Sequence, residues 1–180
     1  RNLRIQATRV LAYRHKKLAD PLPKSVPTTL LADSDPRIRF EAMQAVLQSG
    51  LKAAVPAVVQ QLETERDRVT YYSGWQVLRR LLPVQARKLL LNHTAARVRL
   101  AALLSLQEDF AISRSEVMAL VDRETDTTVQ SWALTFAMNP TPPKKLVNTT
   151  LRIEMEQSIP IAKILAQANK AKSPQLRKLY

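Results

Sequence analysis

Asp33-Ser34-Asp35-Pro36-Arg37-Ile38-Arg39-Phe40-Glu41-Ala42-Met43-Gln44-Ala45-Val46-Leu47 opens as a polar turn and continues as an amphipathic run. Ile38, Ala42, Ala45 and Val46 share one face at the 3.6-residue period, which predicts a helix starting near Pro36. Asp and Ser ahead of that helix accept its free N–H groups, and Pro36 suits a first turn where no donor is lost. The kernel of the run is an aliphatic residue, a small residue four later and an apolar residue four after that. It recurs as Leu3/Ala7/Leu11, Ile38/Ala42/Val46, Val69/Ser73/Val77, Val98/Ala102/Leu106 and Val129/Ala133/Ala137. The starts at 3, 38, 69, 98 and 129 are 35, 31, 29 and 31 residues apart. Self-similarity at such a period marks a helical repeat, each unit burying its apolar face on the next. The first position is expected in the core, and the small second position at a close helix crossing.

Between the echoes lie second apolar runs, Val26–Leu31, Ala54–Leu62, Val84–Leu91 and Val117–Val121, most near a proline or serine start. Polar preludes at Glu63–Asp67, Asn92–Thr94 and Glu124–Thr128 precede the later echoes. The predicted fold is all-α: a right-handed α-solenoid of about five helix pairs with an atypical C-terminal helical cap. The expected units are 1–20 (partial), 24–50, 52–81, 83–109 and 113–138, with capping helices within 144–171 after the stop at Asn139–Pro143. The loop Asp20–Pro27 accounts for the longer first interval. The chain starts at Arg1 with half a unit and reads as a segment of a longer protein.

Composition agrees with this class. The chain has 180 residues, 46% apolar, with 2 glycines and 11 prolines, which disfavours a hairpin-rich β fold. It has no cysteine, so disulfides, thiolate metal sites and cysteine nucleophiles are excluded within it. No stretch approaches 18 uninterrupted apolar residues. His15 and His93 lie far apart without a close carboxylate in sequence, so neither is expected to bind metal or act in acid–base catalysis. No catalytic residue, cofactor or metal is expected. Asn92-His93-Thr94 and Asn148-Thr149-Thr150 match the glycosylation triplet and are assigned no role.

The units resemble HEAT repeats of the short kind named after phycobilisome-lyase-type proteins. The resemblance rests on Asp33–Ala42 followed by Ala53-Ala54-Val55-Pro56-Ala57-Val58, with Val98-Arg99 and Ala102 matching again. It covers 1–138 and departs at Thr70 and Ser73, at the fourth unit's non-acidic turn and at Gln130. A narrower similarity, on Arg66–Tyr72 and Leu78–Pro83, is to the HEAT region of large planctomycete-type haem-binding and sugar-dehydrogenase-like multidomain proteins. That similarity implies a spacer with the haem held elsewhere.

The net charge of +13 favours an anionic partner. From Arg68 to Gln107 there are seven Lys/Arg and no acid. Residues 157–180 carry five, again with no acid, and residues 1–20 carry six against Asp20. The candidate anion- or partner-binding residues are Arg68, Tyr71, Tyr72, Arg79, Arg80, Arg87, Lys88 and Arg97. Aromatics beside cations could stack on bases; alternatively Trp75 and one Tyr fill space left by Ser73 and Gly74. Arg4, Arg39 and Arg99 are expected to pair with acidic turns of adjoining units. The first functional reading is a non-catalytic protein-interaction scaffold or spacer, its partner a protein or flanking domains of the parent chain. The alternative is a basic nucleic-acid-binding solenoid, including a DNA glycosylase-like one. The acid-free stretch deprives the most basic region of the carboxylate such an enzyme needs.

Overall fold

A computed structural model describes residues 2–18 and 25–138, which are all-helical, with no strand among them. The α-helices are α1 (Asn2–Leu18), α2 (Ser25–Leu31), α3 (Pro36–Ser49), α4 (Val55–Thr64), α5 (Arg68–Leu81), α6 (Val84–Leu89), α7 (Ala96–Glu108), α8 (Arg114–Arg123) and α9 (Thr127–Met138). Single 3-10 turns, Lys52–Ala54 and Leu90–Asn92, precede α4 and follow α6. The expected stop at Asn139–Pro143, the capping helices, the second glycosylation triplet, the basic end and the side chain of His15 lie outside the described residues.

Local chemistry starts the helices where the polar preludes predict. Asp35 caps α3 through the N–H of Arg37, Asp67 caps α5 through Thr70, and Ser113 forms a reciprocal capping box with Glu116 on α8. A further device recurs at the starts of α3, α5, α7 and α9. Asp33 Oδ1 accepts the N–H of Asp35 at 2.9 Å, Glu65 Oε1 that of Asp67 at 2.9 Å, and Glu124 Oε1 that of Asp126 at 2.8 Å. In the fourth unit, which has no acid there, His93 Nδ1 accepts the N–H of Ala95 at 3.1 Å. Its Nε2 lies 3.7 Å from Glu63 Oε1, so His93 does have a neighbouring carboxylate.

Gly50 ends α3 at φ +65°, with nothing within 4 Å of where a Cβ would stand. The left-handed backbone alone therefore sets the penalty of a side chain there. Gly50→Ala is expected to lower unfolding free energy by about 1 kcal/mol, measured by urea denaturation.

Backbone contacts group the chain into two compact units, Arg1–Ser105 and Leu106–Tyr180, dividing inside α7. Within the first, the echo helices stack in order, α1 on α3 and α3 on α5. Helix α2 packs on α3 and α4, and α4 on α5. Leu31, Met43, Val46, Val58, Leu62 and Leu78 form much of its core. Within the second, α8 packs on α9; Val117, Leu120, Val121, Val129, Ala133 and Leu134 are buried there.

The echo register holds in α3, α7 and α9, where Ile38, Val98 and Val129 are buried. It needs correction in α1 and α5. Leu3 and Val69, expected in the core, are 86% and 59% exposed. In α1 the inward residues are Ile5, Thr8 and Ala12. In α5 the true series is Thr70/Gly74/Leu78, one residue on. Counted from the caps Asp35 and Asp67, α3 buries Ile38, Glu41, Ala42, Met43, Ala45 and Val46. At the matching places α5 buries Thr70, Ser73, Gly74, Trp75, Val77 and Leu78. The small residue of the third unit is thus Gly74. A Cβ there would stand 2.7 Å from Leu62 Cδ2 on α4, so Leu62, not Trp75, occupies the space that glycine leaves.

Candidate functional site

The sequence-predicted cations and aromatics do not form one surface. Tyr71 is buried; its hydroxyl donates to Arg97 O at 2.6 Å, and the Arg97 guanidinium lies 4.6 Å from its ring centroid. Burial pushes the Tyr71 phenol up, with the Arg97 charge pulling partly back, so it serves as a neutral donor. Tyr72 is exposed and meets Trp75 edge-on at 4.9 Å, while Trp75 is itself buried. Arg87 is 3% exposed and donates from Nη1 to Ser105 O at 2.6 Å, which removes it from any surface stripe. Arg79 donates to Gln76 Oε1 at 3.4 Å. Arg79 and Arg80 end α5, and Arg87 and Lys88 end α6, where cations suit the negative helix end. Arg68 stands exposed at the start of α5.

Two of the repeated arginines, Arg4 and Arg39, bridge to the next polar turn. Arg4 binds Asp33. Arg39 reaches the next turn and grips Glu65 with two bonds, Nε–Oε2 at 2.7 Å and Nη2–Oε1 at 2.8 Å. Its Nη1 donates to Asp33 O and Ser34 O at 2.8 and 2.9 Å, and Arg99 donates in the same way to His93 O and Thr94 O. In the corrected register Tyr71 holds the place of Arg39. Its bond to Arg97 O spans 26 residues, as Arg39 to Glu65 does. Thr70 Oγ1 ties α5 back to Pro36 O at 3.0 Å.

A different feature gathers exposed groups. A groove of about 670 Å³ crosses the first compact unit along the starts of three successive echo helices. Asn2, Ile5, Gln6 and Arg9 line it from α1, Pro36, Arg37, Phe40 and Glu41 from α3, and Asp67 and Val69 from the start of α5. Phe40 is half-buried, Val69 is the most open apolar group in it, and Glu41 is held by Arg9. Of these residues only Val69 belongs to the echo, and the sequence assigned it to the core. The signal that locates it is the Asp67 cap: counting three residues on puts Thr70, not Val69, inward.

No helix among the described residues is long and apolar enough to cross a membrane. No protein-family model, curated protein or solved structure matches the chain.

Proposed function

We propose that this chain is a non-catalytic protein-interaction scaffold built as an α-solenoid of HEAT-like helix pairs, working as a docking or spacer segment. The observation that carries the reading is the groove across α1, α3 and α5, to which three successive units each contribute equivalent helix starts. A repeating row of helices offers such an extended groove without any one unit needing a special site. The recurrent turn at Asp33, Glu65, His93 and Glu124 supports the repeat reading, because four segments of different sequence make the same bond at the same place. Base stacking is poorly served: Tyr71 is buried and spoken for by Arg97, leaving Tyr72 as the exposed tyrosine of that pair.

The test is selection of a displayed random peptide library on the whole chain. Enriched peptides should lose at least about tenfold in affinity on Val69→Asp, since one apolar anchor carries energy of that order. An acidic residue in the first turn of α5 suits the helix dipole, so this variant keeps its fold. Enriched peptides indifferent to Val69→Asp would refute the groove as the docking site. Duplex DNA bound at about 50 mM salt, where non-specific phosphate contacts are strong, and displaced from Val69→Asp would point to nucleic acid instead.

A further inference from the structure

The geometry points to a partner of defined chemistry for this groove: a short acidic peptide carrying large apolar side chains. The inference rests on the docking reading above and names what docks. Its carboxylates are already committed. Glu41 is 8% exposed and bound by Arg9, and Asp67 Oδ1 accepts the N–H of Thr70 at 2.8 Å while the nearby Arg39 charge helps keep it ionised. Of the two cations that line it, Arg9 is spent on Glu41 and Arg37 is not. Arg37 lines the groove with its side chain exposed and no ion-pair partner among the described residues. Arg66 and Arg68 flank Asp67 at the α5 end and are likewise exposed and unpaired. Uncommitted charge along the groove is therefore positive, and between its ends lie Phe40 and Val69. A ligand that satisfies both must bring carboxylates for the arginines and apolar side chains for the floor.

Size limits the ligand as well. Packed helices lie 8–10 Å apart, so three span about 16–20 Å, which five or six extended residues cover at about 3.3 Å each. A short segment is enough, and a folded domain is not required.

The composition of the peptides recovered in the selection tests this. Those that depend on Val69 should be rich in Asp and Glu interleaved with Leu, Phe or Trp. Their affinity for the Arg37→Glu/Arg68→Glu double variant should fall about tenfold or more, and their binding to the wild type should weaken with salt. Both arginines are exposed, so the variant is expected to unfold at the wild-type urea midpoint. Selection on the double variant should return basic apolar peptides. Val69-dependent peptides that are neutral or basic on the wild type would overturn the acidic assignment while leaving the docking site intact. Polyglutamate binding as tightly as the mixed peptides would overturn the apolar half. Absence of any Val69-dependent peptide would overturn the docking reading itself, and this inference with it.

Discussion

Replacing Arg39 by Met lowers the unfolding free energy by about 3–5 kcal/mol, the scale of a buried ion pair stripped of one member. Glu65 has a side chain with no exposed surface, and that of Arg39 is 13% exposed. Burial is the largest single influence on the Glu65 carboxyl and raises its pKa. The Arg39 bonds, the Asp67 N–H, the Gln61 amide and the Arg39 charge together outweigh it and leave the pKa below its ordinary 4.5. With a depressed folded pKa, the carboxylate stabilises the fold above the ordinary carboxylate range. That contribution disappears as pH falls through the folded value. In Arg39→Met burial has lost its main opponent, so the Glu65 pKa rises and acid relieves the stranded charge. The gap in urea midpoint between wild type and variant should therefore be widest near neutral pH and narrow on acidification below about pH 5. A gap independent of pH would mean that the loss is one of packing alone. Arg39→Met/Glu65→Leu should be more stable than Arg39→Met alone, because no unpaired charge stays buried, but should stay below the wild type because the Asp67 N–H loses its acceptor.

Gly74→Val is expected to cost about 2–3 kcal/mol, the upper part of the overpacking range, and Gly74→Ala distinctly less. A Cβ meets Leu62 Cδ2 at 2.7 Å and Cγ at 3.2 Å, and Leu62 has no exposed surface into which to swing. Alanine gains about 1 kcal/mol of helix propensity, which offsets part of the cost of displacing the leucine methyl. Valine adds two methyl groups at the same crossing. Chemical denaturation of the two variants, together with Leu62→Ala and Gly74→Val/Leu62→Ala, separates the causes. If the clash is the cause, the double variant should be hurt less than the sum of its parts.

Helix existence was legible because it is decided within a few residues. Asp35-Pro36 and Ser113 announce their helices by capping chemistry that needs no tertiary partner. Pairing of arginines with acidic turns of adjoining units was legible for Arg4, which binds Asp33, and for Arg39, which grips Glu65. The candidate site was legible only at its edge. Of the eight residues chosen for charge and aromaticity, Arg68 alone stands beside the groove. Arg87 and Tyr71 turned inward because a long polar side chain can hide its body and still reach a backbone carbonyl.

By itself the sequence determined a chain of helices and the polar turns that start them. Its apolar period did not determine which side of α5 faces inward. Val69/Ser73/Val77 and Thr70/Gly74/Leu78 both alternate large and small groups at the helical period, and one residue turns a helix by about 100°. Tertiary packing decided between them. Leu62 fits only against the glycine, and Thr70 reaches Pro36 O only when turned toward α3. That rotation places Val69 in the open beside Phe40 and Arg37, so the groove exists because of a packing choice that the apolar period alone does not record and only the Asp67 cap hints at.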